Sequence, residues 1–372
     1  MHLVRVVRFS IAGALVAAVS FSCVTFAVAN PVQGDKKQPA KMEEGQRMEA
    51  QALIALVDDF ANGKPPANPL PVKWEQNHYV RALADKTYVP FTLAIEPGAL
   101  TGPGVAIYMR VVAKGSPAVA PPPPSSDKKD KKNDKKTAEA ASSYAFEDLF
   151  FTDVPPGVAG APQRLRRAFA VPPGEYDVYV AVKEHSAAGA PAGGAATATA
   201  KAGVIKQSIA APSFDGHEFT TSSVIVARSV DVLQTPLSPD SQAENPYTFG
   251  VMKIDPAAEP KFNKKGVLAV IMWIYGAKED ATTKKPDVSM DFKFYKKDGD
   301  KDTYFNKTEP QLLNASTLPP QFDLAAGHQL LGTLELPLAS FPEGDYRLEI
   351  EVQDKAATQK LTRNVDFSVV AQ

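Results

Sequence analysis

The sequence predicts a mainly β chain of two tandem β-sandwich domains, preceded by a signal peptide and one short amphipathic helix. The first observation behind this prediction is a turn-and-strand sequence motif that occurs twice, as VPPGEY at 171–176 and as FPEGDY at 341–346. In each copy Pro and Gly set a tight turn, and a Tyr begins a strand of alternating apolar and polar residues. The second observation is the series of further strand-like segments around both copies.

The tyrosine of each copy, Tyr176 or Tyr346, occupies the position of a tyrosine corner. In such a corner the ring packs inside a β-sandwich, and the hydroxyl bonds back to the connection before the strand. Because each corner belongs to one sandwich, two copies predict two sandwiches in tandem.

Residues 1–29 are predicted to form a signal peptide for export. Arg5 and Arg8 give a basic start, an apolar run follows, and Ala27-Val28-Ala29 matches a cleavage site. The apolar run is short for a membrane span, which takes about 20 residues. Two alternatives stay open: the signal is retained as an anchor, or Cys23 carries a lipid, although the usual Leu three residues before it is absent.

The composition argues against several classes of function. Cys23 is the only cysteine, so the chain without its signal has no disulfide and no thiol nucleophile. With 41 basic and 42 acidic residues the chain is almost neutral, which argues against nucleic acid as a partner. The sequence contains no G-x-S-x-G motif, and no glycine-rich phosphate loop follows a strand.

A polar N-terminal segment at 30–72 is predicted to contain one helix, at 43–62. Leu53, Val57 and Phe60 fall on one face at helical spacing. We expect this stripe to pack against the first sandwich. An exposed helix that binds a partner or a membrane is the alternative, but the polar face is acidic, whereas membrane-surface helices carry a basic one.

The first sandwich is predicted at 73–212, where the composition gives strands separated by turn residues. The strands at 88–95 and 105–112 are expected to pair with each other across the turn at Pro97-Gly98. The predicted strands lie at 88–95, 105–112, 144–151, 164–171, 176–183 and 204–210.

Two disordered inserts are predicted inside the first sandwich, at 115–143 and 186–202. The first contains a run of Lys, Asp and Asn at 127–136 with no apolar residue, and the second consists mainly of Ala and Gly. Such segments cannot bury a core. We interpret the lysine run as a charged spacer; the alternative is that it binds anionic polymers of the envelope.

The second sandwich is predicted at 213–372. Its strand count matches an immunoglobulin-like sandwich. The strand at 267–275 is apolar throughout, so we expect a central strand that is covered on both faces. The predicted strands lie at 222–230, 247–254, 267–275, 288–295, 329–336, 346–353 and 361–369.

The runs TSSVIV at 221–226, FPEGDYRL at 341–348 and VDFSV at 365–369 carry a resemblance to a known segment. The C-terminal half is similar to the β-sandwich segment of secreted bacterial proteins that also contain a GWxTD or a von Willebrand A-type domain. Neither the Gly-Trp-x-Thr-Asp run nor an Asp-x-Ser-x-Ser metal motif occurs in this chain. The resemblance implies tandem immunoglobulin-like sandwiches and export, and it supplies no catalytic residues.

The histidines outside the signal show no metal-ligand spacing, so ordinary loop positions are expected for them. No metal and no cofactor is predicted. These histidines are His78, His185, His217 and His328.

One acidic run has the spacing of a calcium loop. Asp298, Asp300 and Asp302 stand at the first, third and fifth positions, and Glu309 stands at the twelfth. However, Thr303 occupies the position where the loop needs Gly, and the flanking segments are strands rather than helices. Asp298 with the following Gly is also a hairpin signal, so we predict a turn and keep calcium binding as the alternative.

The segment WEQNHY at 74–79 precedes the first predicted strand and combines aromatic and amide side chains. If Trp74 is exposed, it can stack on a sugar ring while the amides bind hydroxyls. If Trp74 is buried, it covers the end of the first sandwich. We predict the buried arrangement, because a single Trp at such a position usually fills space.

These observations predict a non-catalytic, exported interaction or scaffold protein of the bacterial periplasm or cell surface. Its expected partner is a protein of the cell envelope or a surface glycan. A carbohydrate-binding protein is the first alternative, and a hydrolase whose dispersed acidic residues converge in the fold is the second. Coplanar exposed aromatic rings would favour the first, and two carboxylates about 5 to 10 Å apart in a cleft would favour the second.

Overall fold

A computed structural model describes residues 44–102, 104–119, 144–154, 160–185, 200–299 and 301–371. The predicted signal, with Cys23, and most of both predicted inserts lie outside the described residues. The start of the first insert is held in the fold, because the Ala118 carbonyl accepts a hydrogen bond from Arg110 Nη1 at 2.8 Å.

The described part of the chain up to residue 211 contains helix α1 and the first eight strands. Their bounds are α1 (Glu44–Ala61), β1 (Val72–Asn77), β2 (Val80–Arg81), β3 (Thr87–Ile95), β4 (Gly104–Ala113), β5 (Phe146–Asp153), β6 (Gln163–Val171), β7 (Gly174–His185) and β8 (Ala202–Ala211).

The described part from residue 220 onward contains a short helix and the remaining strands. Their bounds are β9 (Thr220–Thr221), β10 (Ile225–Val232), α2 (Pro239–Glu244), β11 (Thr248–Phe249), β12 (Met252–Pro256), β13 (Lys261–Asn263), β14 (Val267–Tyr275), β15 (Val288–Asp298), β16 (Lys301–Lys307), β17 (Gln311–Leu313), β18 (Leu330–Pro337), β19 (Gly344–Asp354) and β20 (Gln359–Val370).

These strands form four sheets, which we number in the order in which they stack. Sheet I has the strand order β5-β4-β7-β8. In sheet II, strand β3 pairs with β1 and β2 on one side and with β6 on the other. Sheet III has the order β11-β12-β10-β14-β18 with β9 beside β14, and sheet IV has the order β13-β20-β19-β15-β16 with β17 beside β15. Sheets I and II enclose one apolar core, and sheets III and IV enclose a second. The fold class predicted from the sequence, mainly β with tandem β-sandwiches, is confirmed.

The predicted pairing of the strands at 88–95 and 105–112 is wrong. The first of them, β3, lies in sheet II with β1, β2 and β6, whereas the second, β4, lies in sheet I between β5 and β7. The connection around Gly98 therefore crosses from one sheet to the facing sheet instead of closing a hairpin. Both strands are buried and mainly apolar on both faces, so local alternation cannot reveal which strand is the neighbour.

The predicted two-sided burial of the strand at 267–275 is confirmed in β14. Leu268, Val270 and Met272 point into the core between sheets III and IV. Ile271 and Trp273 point the other way and pack against sheet II. The continuous apolar run thus reflects burial between two sheets, one from each sandwich.

Both predicted tyrosine corners are present. Tyr176 Oη donates to the Pro172 carbonyl at 2.9 Å, and Tyr346 Oη donates to the Pro342 carbonyl at 2.7 Å. The glycines two residues before these tyrosines have φ values of +154° and +139°, which side chains rarely adopt. This conformation explains why Gly occurs in both copies of the motif.

Several short strands were not predicted, and one predicted strand is divided. The segment at 247–254 is a hairpin of β11 and β12 that turns at Gly250, rather than one strand. Trp74 lies on β1, which precedes the first predicted strand. Strands of two or three residues, such as β9 and β13, are too short to show a period of two.

Helix α1 lies on the outer face of sheet I, as predicted. Leu53 and Val57 are fully buried against Tyr108 of β4 and Tyr179 of β7. Sheet I is thereby covered on both faces, by the helix outside and by sheet II inside. The interpretation of α1 as an exposed helix is therefore wrong.

The corner hydroxyl gives a testable prediction. Tyr346→Phe should lower the free energy of unfolding by about 1 kcal/mol, because the Pro342 carbonyl loses its donor while the packed ring remains. Denaturant unfolding measures the change. Tyr304→Phe is the matched control, since Tyr304 is 55% exposed and should change little. Equal stability of Tyr346→Phe and the parent chain would contradict the role of the corner.

Candidate functional site

The two sandwiches are joined by an apolar contact between sheet II and sheet III. Tyr88 and Val80 of sheet II meet Phe249, Ile271 and Trp273 of sheet III, and all five side chains are buried. The Phe249 ring lies 6.2 Å from the Tyr88 ring and 4.7 Å from the Trp273 ring. The joint between the sandwiches therefore has the composition of a third core.

Tyrosine hydroxyls make hydrogen bonds across this joint. Tyr88 Oη donates to the Pro246 carbonyl at 2.9 Å, and Tyr275 Oη accepts from the Arg81 amide at 3.1 Å. Burial raises the pKa of both phenols above its ordinary value, so the hydroxyls stay neutral. Each bond connects a side chain of one sandwich with the main chain of the other and so fixes their relative position.

His78 is buried in the same joint, against the prediction of an ordinary loop histidine. Its Nδ1 lies 3.0 Å from Tyr247 Oη, which itself lies 3.2 Å from the Pro90 carbonyl. Because a carbonyl only accepts, the Tyr247 hydroxyl donates to Pro90, and His78 Nδ1 must carry the hydrogen donated to Tyr247. Burial lowers the pKa of the His78 imidazole from 6.5 to about 4, so it is neutral at pH 7.

An ion-pair bridge lies at the polar end of the joint. Asp255 of β12 accepts from Arg166 of sheet II at 2.6 Å and from Arg228 of β10 at 2.8 Å. Burial would raise the pKa of the Asp255 carboxyl, but the hydrogen bonds from Arg228 and Arg166 outweigh it and hold this pKa below its usual value. The bridge ties β6 of the first sandwich to two strands of the second.

Trp74 packs against the core of the first sandwich and is half-buried, so the predicted burial is found in part. Its ring stacks on Phe91 with centroids 4.4 Å apart and planes 7° apart, and its Nε1 donates to Asn77 Oδ1 at 3.0 Å. One face of the indole is thus covered by a fully buried ring. The neighbouring Glu75 is bound by both Arg164 Nε and Arg164 Nη2, at 2.7 and 2.8 Å.

The acidic run forms the predicted hairpin turn. Asp298 pairs with Lys301 where β15 turns into β16, and Gly299 has a φ of +60°. Asp302 is bound to Arg347 Nε at 2.5 Å, and Asp300 lies outside the described residues. Among the residues that the structure describes, no group of His, Cys, Asp and Glu is arranged to hold a metal ion.

The remaining histidines are separated from one another. His185 Nδ1 lies 2.5 Å from Glu49 Oε2 of α1, and its ring lies 5.2 Å from the Phe151 ring. His328 Nδ1 accepts from the Asp323 amide at 3.0 Å. His217 is exposed. The structure thus brings no two of these three histidines together.

Arg110 is a buried cation that sequence reasoning missed. Its Nη1 pairs with Asp58 of α1 at 2.6 Å, its Nε donates to Tyr108 Oη at 3.0 Å, and its guanidinium lies 4.4 Å from the Tyr144 ring centre. Tyr108 Oη is also bonded to Glu147. A single Arg in the otherwise apolar strand β4 was the available signal. The Arg110 guanidinium thus links α1 to sheet I through its ion pair with Asp58.

No protein-family model matches the chain, and no curated protein matches its sequence. Among solved structures, the chain is similar to Escherichia coli alpha-2-macroglobulin activated by porcine elastase, with 11% identity over 78% of this chain and 24% of that chain and a TM-score of 0.21. It is also similar to Bacteroides uniformis beta-glucuronidase, with 9% identity over 77% of this chain and 26% of that chain and a TM-score of 0.24.

The chain therefore spans about a quarter of the length of either protein. At these TM-scores neither similarity carries an argument about function. The resemblance to the segment associated with GWxTD and von Willebrand A-type domains stays a prediction. In the described part of the chain, neither helix has the length and apolar character to cross a membrane.

The buried imidazole predicts a pH dependence of stability. The unfolded chain binds a proton at His78 near pH 6.5, whereas the folded chain binds it only near pH 4. The free energy of unfolding should therefore be unaffected by His78 above about pH 7, fall between about pH 6.5 and 4, and lose about 3 kcal/mol in all. Denaturant unfolding at a series of pH values measures this loss.

The variant His78→Gln isolates the contribution of this side chain. The difference in unfolding free energy between the parent chain and His78→Gln should shrink or reverse as the pH falls toward 4. His217→Gln, at an exposed position, is the matched control and should leave the pH profile unchanged. Parallel pH profiles for the parent chain and His78→Gln would contradict a neutral His78 in the joint.

Proposed function

We propose that this chain is a non-catalytic, exported interaction or scaffold protein of the bacterial periplasm or cell surface. The observation that carries the proposal is the buried contact between sheets II and III. It joins two sandwiches into a continuous stack of sheets, with α1 at one end and the outer face of sheet IV at the other. Such a stack holds binding surfaces at fixed positions, which is what a scaffold requires.

The use of the polar side chains supports the same proposal. His78 and Asp255, which elsewhere could serve acid–base chemistry, form hydrogen bonds and ion pairs that hold the two sandwiches together. Arg110 and Asp58 likewise fasten α1 to sheet I. Strongly bound groups of this kind stabilise a relative position of elements rather than offer a reactive atom.

Export is part of the proposal and rests on the sequence of the first 29 residues, with its basic start, apolar run and Ala27-Val28-Ala29. The finer proposal is that the partner is a protein of the cell envelope. A surface glycan is the alternative ligand, for which the half-buried Trp74 is the candidate contact.

Co-sedimentation tests the proposal. The chain from Asn30 onward is mixed with fractionated bacterial envelope and with insoluble glycans, and retained material is crosslinked and identified by mass spectrometry. We expect crosslinks to one or two envelope proteins and no retention on a pure glycan. Retention on a glycan that is lost in Trp74→Ala would overturn the proposal in favour of carbohydrate binding. Binding to neither would count against both.

A further inference from the structure

Strand β16 is an open edge of sheet IV. Among the described residues it pairs with β15 alone. Phe305 anchors the strand, since its ring lies 4.9 Å from Phe341 and 5.5 Å from the corner residue Tyr346. The other residues of β16 are exposed. The strand is thus held by one half-buried ring, and its outer main-chain edge is free of a neighbouring strand in the part of the chain described.

A fixed aromatic side chain projects from this edge. Tyr304 is 55% exposed and is the only aromatic residue among the large exposed apolar side chains of the described residues. Its ring packs edge-on against Tyr295, with centroids 5.9 Å apart, and the Arg347 guanidinium lies 4.3 Å from the Tyr295 ring centre. Arg347 is held in turn by Asp302 and Glu349. An exposed Tyr on such a pre-organised support is typical of binding hot spots.

The charges at the edge differ from those on the outer face of sheet IV. On that face the basic residues Lys293, Lys297 and Lys360 all pair with carboxylates, at 3.1, 2.8 and 2.6 Å. At the two ends of β16, Lys301 and Lys307 have no carboxylate partner among the described residues. Within the described residues, the edge therefore carries two lysines without a carboxylate at ion-pair distance, one on each side of Tyr304 along the strand.

These charges decide which strand fits the edge. A second copy that paired antiparallel and centred on Tyr304 would bring Lys301 of one copy beside Lys307 of the other at both ends. The register shift at Phe305 places the two lysines on different faces of the sheet, but the approach of like charges remains unfavourable. Lysines at an edge protect a sheet against such self-association. A strand with acidic residues at both ends instead forms two favourable cross-strand pairs.

We propose that β16 binds an extended acidic segment of a partner protein, which adds a strand to sheet IV. The main chain of β16 supplies the hydrogen bonds, Lys301 and Lys307 pair with acidic side chains at the ends, and Tyr304 packs against a central apolar side chain. The proposal rests on the proposed interaction function and names its surface and the chemistry of its partner.

A random peptide library tests the edge without knowledge of the natural partner. Peptides of about nine residues, the length of an extended edge segment, are selected on the full chain from Asn30. We expect enriched peptides to have acidic ends and an apolar centre, and to protect the amides of β16 from hydrogen exchange. Lys301→Glu combined with Lys307→Glu should weaken their binding about ten-fold or more, and Tyr304→Ala should weaken it as well.

The matched control changes Lys264 and Lys265, which are exposed in a turn at the other end of sheet IV, to Glu. It alters the net charge equally and should leave peptide binding unchanged. Enrichment without an acidic bias, no enrichment, or equal binding to the parent chain and the Lys301/Lys307 variant would overturn the edge proposal. If that variant still gives the parental crosslinks to envelope proteins, the edge proposal fails while the interaction function stands.

Discussion

The contact between sheets II and III is the constraint on which the rest of the structure depends. It requires β14 and β3 to be apolar on both faces, since each strand faces its own core on one side and the other sandwich on the opposite side. It removes the outer faces of two sheets from solvent. Within the described residues, the outer face of sheet IV, the outer side of α1 and the open strand edges therefore remain as surfaces for a partner.

The polar groups of the joint give the apolar contact its specificity. An apolar surface alone tolerates sliding, whereas the hydrogen bonds across the joint have one good geometry. Tyr88 and Tyr247 donate to main-chain carbonyls of the other sandwich, and Tyr275 accepts from the Arg81 amide. Asp255 adds a charged bridge at the edge, where water still screens it. Apolar burial thus supplies most of the association energy, and the hydroxyl groups determine the orientation.

The sequence was sufficient for the parts of the fold that have a local signal. The alternation of apolar and polar residues predicts β19 and β20, and the amphipathic stripe predicts α1. The two tyrosine-corner motifs likewise predict turns that the structure contains. The pairing of β3 with β6 and the position of His78 could not be predicted from local pattern. The partners of β3 lie at Gln163–Val171, and Tyr247 lies 169 positions from His78. The open edge at β16 was missed because only the hairpin signal at Asp298, and not the sheet order, is visible locally.

The account makes the joint the central stabilising contact, and calorimetric unfolding tests this most directly. The chain should unfold in one cooperative transition that includes both sandwiches. Ile271→Asp, which places a charge in the joint but not in either sandwich core, should divide this into two transitions because each sandwich retains its own core. Two transitions in the parent chain, or an unchanged single transition in Ile271→Asp, would contradict the account.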